Sequence, residues 1–309
     1  MWGKKPKIAA SSLVAIALLA LPGCGSVGNS SIEIKSSSVL SSQVSGSEEP
    51  LYTRVIALAN GSAEILDSMG LKRIIIGRDI ASTDESLKSI PIVTSGHQLV
   101  AEKIISLNPD LVIIDSSVGP TQAIEAIKSA GVRVISIKEV WDVAAISSKV
   151  RDVASAVGVP ATGESLVAEI EGAIKVASKK VSDSPRIAFL YLRGGNSIYL
   201  LGGKGSGADS MLEAIGAVDV GAVKGSTPFA ALTSESLVAK RPDIILVMSK
   251  GLESVGGVEG LVALPGVAQT PAGQSGRVIA VDDSLLLSFG PRTPALLAAL
   301  ATAINEVRK

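Results

Sequence analysis

Residues 99–114 read LVAEKIISLNPDLVII, and they align without a gap on residues 232–247, which read LTSESLVAKRPDIILV. Each copy predicts a helix, a Pro-Asp turn and a buried strand, so the chain contains an internal repeat that decides its fold. Glu102 and Glu235 occupy the same place in the two copies. An acid in the first turn of a helix is favoured by the helix dipole, and that effect alone would explain both residues.

Short aliphatic runs alternate with helical patterns on both sides of this repeat. One series covers residues 51–141, a second covers residues 183–309, and the largely helical segment 142–182 lies between them. Alternation of helices with strands rich in Val and Ile predicts parallel sheets covered on both faces. We therefore predict an α/β fold with two Rossmann-like lobes and mostly parallel sheets. A single long helical connector joins the lobes in this prediction, and the ligand cleft lies between them.

The N-terminus predicts export and anchoring. Three lysines precede an apolar run that is too short to span a bilayer comfortably, which is typical of a signal peptide over residues 1–23. Cys24, the only cysteine, ends a Leu-Pro-Gly-Cys segment that resembles a bacterial lipobox, and we expect its thiol to be lipidated. An ordinary signal peptide with an unmodified thiol is the alternative. Residues 24–50 are rich in Ser and Gly and are predicted to form a disordered tether.

Composition argues against several classes of protein. The chain has 29 basic and 29 acidic residues, so no global field attracts nucleic acid, and we predict no nucleic-acid partner. The glycine cluster at residues 202–207 lacks the order of a phosphate-binding P-loop. The sequence contains no GxSxG motif, and its one histidine leaves little material for a hydrolytic triad or a multi-histidine zinc site. The sequence therefore does not predict an enzyme.

That one histidine, His97, follows the apolar run at residues 90–93 and precedes a helical pattern, so we predict that it lies in a strand-to-helix turn. Tyr191 and Arg193 are two residues apart near the end of a predicted strand, before a Gly-rich turn. Their side chains should leave the same face of that strand, at the edge where open α/β sheets bind ligands. Tyr191 of one lobe would then face His97 of the other.

A histidine and a tyrosine across a cleft, with an arginine beside the tyrosine, suggest axial ligation of ferric haem. Phenol has a pKa of about 10 in water, so the metal's charge must ionise it, and an adjacent guanidinium stabilises the resulting phenolate. Spacing alone leaves other roles open. A lone histidine in a turn is more often a cap or a surface residue, and a tyrosine in a strand is usually part of the core.

Residues 51–309, with the tethered N-terminus, the paired repeats and the helical connector, resemble the substrate-binding proteins of ABC importers for iron complexes and cobalamin. A narrower resemblance, to the haem-binding lipoproteins of actinobacterial haemin importers, rests on the segments SGHQLVAE, FLYLRGG, LLGGKGSGADSMLEAIG, ILVMSKGLESVGGVEGLVALPGVAQTPAG and LLSFGPRTP. It implies that His97 and Tyr191 are the axial haem ligands, that Arg193 hydrogen-bonds Tyr191, and that Met248 lines the pocket.

The resemblance also implies how the protein meets its permease and the rest of its ligand. One acidic residue in each lobe docks onto arginines of the permease, and the matching positions are Glu102 and Glu235. Further pocket residues complete the expected site. They are an aromatic residue, Phe229 or Phe289, and two candidate partners for the haem propionates, Arg292 and Lys204.

Together these features predict a monomeric, lipid-anchored binding protein at the outer face of the cell membrane. It would capture ferric haem from haem-donating surface proteins and deliver it to a haemin ABC permease dimer with its ATPase, with haem as cargo and without catalytic turnover. The alternative within this class is a binding protein for a ferric siderophore or cobalamin. An anchored cell-wall hydrolase and a structural adhesin are rivals from other classes.

Overall fold

The computed structural model describes residues 31–95, 98–223 and 227–309. Within these ranges the chain forms two α/β lobes with mostly parallel sheets, joined through a long helix, and this confirms the predicted fold class. In the same ranges no helix combines the length and the apolar character needed to cross a bilayer. The predicted signal peptide and Cys24 lie outside the described residues.

The chain begins with strand β1 (Ser31–Ile34) and then builds the N-terminal lobe. This lobe consists of β2 (Val55–Ala57), α1 (Ser62–Ser68), β3 (Ile75–Arg78), β4 (Thr94–Ser95), β5 (Gln98–Leu99), α2 (Ala101–Ser106), β6 (Leu111–Ile114), α3 (Thr121–Ser129) and β7 (Arg133–Ser136). Its parallel sheet has the order β3-β2-β6-β7, and β4 and β5 form a separate antiparallel pair. Strands β2 and β6 are buried along their whole length, which explains why they contain only aliphatic residues.

The connector contains the shorter helix α4 (Ile146–Val157) and the long helix α5 (Pro160–Ala177). Helix α4 ends at Gly158, whose φ of 81° lies in the left-handed region that glycine tolerates. Helix α5 begins at Pro160. Proline lacks a backbone N–H, but at the first position of a helix that N–H would have no intrahelical acceptor. Helix α5 packs against α4 and against the C-terminal helix of the chain, so it joins the two lobes directly.

The C-terminal lobe follows the connector. It consists of β8 (Arg186–Arg193), β9 (Ile198–Gly202), α6 (Ala208–Ile215), β10 (Val218–Asp219), β11 (Phe229–Ala231), α7 (Ser234–Lys240), β12 (Ile244–Met248), α8 (Ser249–Ser254), α9 (Gly257–Ala263), α10 (Pro271–Gln274), β13 (Val278–Val281), α11 (Asp283–Ser288) and α12 (Thr293–Glu306). The sheet order is β1-β13-β12-β8-β9-β11, with β10 beside the start of β8. Strands β9 and β11 are antiparallel to their neighbours, and the other pairs are parallel.

The repeated sequence produces the same local structure in both lobes. Asp110 and Asp243, the aspartates of the two Pro-Asp turns, accept hydrogen bonds from the backbone N–H groups of Arg54 and Arg186, respectively. Each arginine also donates from its guanidinium to backbone carbonyls at or just after the end of the repeat's helix. The repeat therefore fixes how helix, turn and strand join in each lobe.

The N-terminal segment differs from the disordered tether predicted for residues 24–50. Strand β1 pairs in parallel with β13 and forms an edge of the C-terminal sheet. Beyond it, the Val44 N–H donates to the Ser68 carbonyl at the end of α1, and the Glu48 carboxylate accepts from Thr162 N–H in the first turn of α5. The segment is thus ordered because its backbone and the Glu48 carboxylate hydrogen-bond to a sheet edge and a helix terminus, and because Ile34 and Val39 are buried in the hydrophobic core. The prediction of disorder is wrong for residues 31–50.

A single hydrophobic cluster runs through both lobes and the connector. It includes Leu66 of α1, Leu166 of α5 and Leu297 of α12, each fully buried. Because closely packed interiors resist shear, this shared core favours a stiff body in which the lobes change their relative position little.

Candidate functional site

Tyr191 and Arg193 lie at the carboxyl end of β8, in the middle of the C-terminal sheet. They alternate with Leu190 and Leu192, whose side chains are buried in a cluster on the opposite face of the strand. Both polar side chains are half-buried, and the Cζ atom of Arg193 lies 4.6 Å from the centre of the Tyr191 ring. The guanidinium therefore stacks on the phenol, in a favourable cation–π arrangement.

Phe229 forms the other wall around Tyr191. Its ring lies edge-on to the tyrosine, with the ring centres 5.6 Å apart, and 38% of the residue is exposed. Strand β11 brings Phe229 opposite Gly202 of β9. A Cβ atom on Gly202 would lie 2.4 Å from the ring of Phe189, so only glycine at this position leaves room for that ring. Of the two aromatic residues expected from the sequence, Phe229 is the one beside Tyr191.

Arg193 is anchored on its far side by Asp283, in the first turn of α11. The Nη2 atom of Arg193 lies 3.4 Å from the Oδ2 atom of Asp283, and Nη1 donates to the Leu192 carbonyl at 2.9 Å. The other oxygen of Asp283 accepts from the Lys250 N–H at 3.1 Å. Sequence reasoning missed Asp283, because no pattern in the sequence shows that the residues after β13 reach the end of β8, which is separated from β13 by β12.

His97 and its neighbour Gly96 lie outside the described residues. The strands that flank them in the sequence are described: Ser95 pairs with Gln98, and the Leu99 N–H donates to the Gly119 carbonyl at 2.7 Å. The predicted strand-to-helix turn is thus interrupted by the short β4-β5 pair. The pairing of His97 with Tyr191 across a cleft stays a prediction.

Arg292 does not present its guanidinium to a ligand, which corrects the expectation that it binds a propionate. Its side chain is 1% exposed and forms an ion pair with Glu64 of α1, also 1% exposed, with the Nε and Oε2 atoms 3.2 Å apart. It also donates to the Ser36 hydroxyl at 2.6 Å. Burial raises the pKa of Glu64 to about 7, although the Arg292 guanidinium opposes this shift. A buried guanidinium needs such a partner, and here the pair joins the two lobes.

Phe289 is also placed in the core between the lobes. It is fully buried, and its ring meets Trp141 edge-on with the ring centres 6.0 Å apart. Its carbonyl and that of Ser288 accept hydrogen bonds from the buried Lys149 ammonium, at 3.3 and 2.6 Å. Burial lowers the pKa of Lys149 to about 8. Phe289 therefore stabilises the junction, and sequence reasoning had no signal for Lys149 as its polar neighbour.

The remaining predicted residues lie in different environments. Met248, at the end of β12, is 1% exposed and belongs to the hydrophobic cluster against which Tyr191 packs. Lys204 is exposed in the turn after β9. Glu102 and Glu235 are both exposed in the first turns of α2 and α7. The structure thus brings together Tyr191, Arg193, Phe229 and the hydrophobic cluster that includes Met248.

Comparison with known proteins places this geometry in context. Residues 55–285 match the periplasmic binding protein family. The solved structure of the periplasmic heme-binding protein RhuT from Roseiflexus sp. RS-1, in apo form, is similar with a TM-score of 0.77 and 37% identity, covering 83% of this chain and 99% of that chain.

Two curated relatives match at lower identity. An uncharacterized ABC transporter substrate-binding lipoprotein, YvrC of Bacillus subtilis (strain 168), is 25% identical over 247 residues, which are 77% of this chain and 76% of the relative. The vitamin B12-binding protein of Vibrio campbellii (strain ATCC BAA-1116) is 22% identical over 204 residues, 66% of this chain and 73% of the relative. With two α/β lobes, a helical connector and a family match over most of its length, the chain belongs to the periplasmic binding protein family.

Proposed function

We propose that this protein captures ferric haem outside the cell and delivers it to an ABC permease. Periplasmic binding proteins are non-enzymatic proteins that deliver ligands to ABC transporters, so the proposal concerns the identity of the ligand. One observation carries it: a half-buried phenol at the carboxyl end of β8, with a guanidinium stacked on it and a partly exposed aromatic ring beside it. The 37% identity to a heme-binding protein supports the same ligand.

The chemistry of these side chains suits ferric haem. The oxygen of Tyr191, as a phenolate, is a hard anionic ligand that favours Fe(III), and the positive charge of Arg193 stabilises the anion. Phe229 offers an apolar surface to a porphyrin. His97, from the other lobe, would be the second axial ligand, and the exposed Lys204 is the remaining candidate partner for a propionate.

Anchoring is the second part of the proposal. Cys24 would bear the lipid, and the similarity to a substrate-binding lipoprotein supports this. Because β1 already belongs to the body, only residues 24–30 would separate the lipid from the C-terminal sheet. Such a segment reaches at most about 25 Å, so the body would stay close to the outer face of the membrane.

Docking to the permease is the third part. Glu102 and Glu235 are exposed acids at equivalent places of the repeat, one in each lobe, which suits a two-subunit permease. We expect Glu102→Ala and Glu235→Ala each to reduce haem uptake by cells while the affinity for haemin stays unchanged. Glu259, an exposed acid in the first turn of α9, provides the matched control. Normal uptake by both variants, or a loss of haemin affinity, would count against this role.

Cobalamin is a second candidate ligand, favoured by the similarity to a vitamin B12-binding protein. Binding measurements with both compounds distinguish the two. The chain from residue 24, with Cys24→Ser to prevent acylation, is titrated with haemin and separately with cobalamin, and binding is followed by visible absorption. Saturable growth of an intense Soret band with haemin, and no saturable change with cobalamin, is the expected result. Saturable cobalamin binding without a haemin complex would replace the proposal.

A further inference from the structure

The guanidinium of Arg193 lies between two different groups. One side stacks on the Tyr191 ring, with Cζ 4.6 Å from the ring centre, and the other approaches the carboxylate of Asp283, with Nη2 and Oδ2 3.4 Å apart. The planar guanidinium presents donors in fixed directions, so a carboxylate at its edge restricts the orientation of its face. The position of Arg193 over the phenol is thus coupled to Asp283.

Asp283 is not needed to cap its own helix. Asp282 does so, by accepting a hydrogen bond from the Ser284 N–H at 3.0 Å. The Asp283 carboxylate uses one oxygen to accept from the Lys250 N–H at the start of α8 and directs the other toward Arg193. The Asp283 carboxylate therefore contacts both the first turn of α8 and the end of β8.

The burial of this pair makes the contact stronger than an ordinary surface ion pair. The side chain of Asp283 is 13% exposed and that of Arg193 is 31% exposed. Partial removal from water reduces screening, and the hydrogen bond from the Lys250 N–H holds the carboxylate in place independently of the guanidinium. Both features favour a defined arrangement over a fluctuating one.

We infer that Asp283 is a positioning residue for the ligand site: it holds the Arg193 guanidinium against Tyr191 before the ligand arrives. This inference rests on the proposed function, because the benefit is realised when Tyr191 binds ferric iron as a phenolate. If the Arg193 side chain is already ordered in the free protein, ligand binding does not have to pay the entropy cost of ordering it. Asp283 hydrogen-bonds Lys250 and Arg193 rather than the phenol, so it acts on Tyr191 through Arg193.

A double-mutant cycle with haemin tests this role. Asp283→Asn keeps an oxygen that can accept from the Lys250 N–H but removes the charge that faces Arg193. It should raise the dissociation constant for haemin by about threefold or more, the size typical of coupled neighbours, and change the absorption spectrum of the ferric complex. In an Arg193→Ala background the same substitution should have no further effect. An equal effect in both backgrounds, or none in the wild type, would overturn the inference.

Asp282→Asn is the matched control, because it removes the same charge one residue away and asparagine caps helices as well as aspartate does. It should leave haemin affinity and spectrum unchanged, whereas an effect equal to that of Asp283→Asn would mean that general electrostatics is responsible.

A measurement without ligand separates this inference from the proposed function. The Nε–H resonance of Arg193 in the free protein should be shifted by the ring current of Tyr191, and Asp283→Asn, but not Asp282→Asn, should abolish the shift. If the wild type forms no haemin complex but this result is obtained, the positioning role stands and the haem proposal fails. If the shift persists in Asp283→Asn, the positioning role is wrong whichever ligand binds.

Discussion

Arg193 and Arg292 show how surroundings decide what one side-chain type does. Arg193, at a half-buried strand end, keeps one face on a phenol and one edge on a carboxylate. Arg292, fully buried, pairs with Glu64 across the two lobes. A guanidinium stays charged in a protein, so its burial requires a carboxylate partner within the fold. The first arrangement leaves charge available for a ligand, whereas the second uses it to stabilise the body.

Asp219 gives a residue-scale prediction of pH dependence. Burial raises the pKa of its carboxyl from 3.8 to about 6, so the folded protein holds this proton more tightly than the unfolded chain does. The stabilisation is complete below about pH 4 and is lost as the pH rises through about 6, with a total change of about 3 kcal/mol. Asp219→Asn should remove this dependence. The free energy of unfolding of the variant, relative to that of the wild type, should therefore increase from pH 4 to pH 7, as measured by urea unfolding. The same difference between the two proteins at both pH values would contradict the assignment.

At the scale of elements, the repeat connects its helix, Pro-Asp turn and strand by equivalent contacts in both lobes. Both aspartates accept from a backbone N–H at or just before the start of the neighbouring strand, and both neighbouring arginines donate to backbone carbonyls at or just after the helix end. Sequence periodicity predicts these helices and strands. It does not predict the two arginines, which lie more than fifty residues from their partners and have no spacing rule to identify them.

Two glycines of α5 give an element-scale prediction with an internal control. A Cβ atom on Gly163 would lie 2.4 Å from the Cβ of Ala154 in α4, whereas a Cβ on Gly172 would meet nothing within 4 Å. Gly163→Ala should separate the two helices and destabilise the protein by about 1 to 3 kcal/mol, the usual cost of overpacking. Gly172→Ala should stabilise it by up to about 1 kcal/mol through helix propensity. Thermal unfolding measures both, and equal effects would contradict the packing described here.

At the scale of the whole molecule, three connections hold the lobes together. The hydrophobic cluster continues from one lobe to the other, Arg292 and Glu64 form a buried pair between them, and the segment after β1 contacts both lobes and α5. Each connection joins residues that are distant in sequence. The body should therefore unfold as one unit rather than lobe by lobe.

Removal of the Glu64 carboxylate tests this view of the junction. Glu64→Ala removes the carboxylate that pairs closely with the buried Arg292 guanidinium and leaves it only the more distant Asp84, 3.9 Å away, so the free energy of unfolding should fall by about 3 to 5 kcal/mol. Urea unfolding followed by Trp141 fluorescence, which reports on the junction, and by far-UV circular dichroism should give coincident transitions in both proteins. Glu164→Ala, which breaks an exposed pair with Arg151, should leave the midpoint nearly unchanged. Separate transitions in the wild type would show that the lobes are independent.

The sequence predicts the two lobes, the helical connector and the shared face of Tyr191 and Arg193, because strand alternation, helical periodicity and a spacing of two are local patterns. It does not predict β1, because the polar-apolar alternation of Ser31–Ile34 is only four residues long within a Ser-rich segment and its partner strand lies far along the chain. It misplaces Arg292 and Phe289 for a related reason. Burial of a residue between lobes depends on tertiary packing, which a resemblance between short segments does not report.

The most direct test of the central claim, that Tyr191 binds ferric haem, is the visible spectrum of the Tyr191→Phe variant titrated with haemin. Phenylalanine keeps the ring that contacts Phe229 and Arg193 and removes only the oxygen. Tyr199→Phe, on β9 and packed against the cluster on the opposite face of the sheet, is the control. We predict that Tyr191→Phe loses the spectrum of the phenolate-bound iron and binds haemin at least about tenfold more weakly, while Tyr199→Phe behaves like the wild type. A Tyr191→Phe variant with the spectrum and affinity of the wild type would contradict the account.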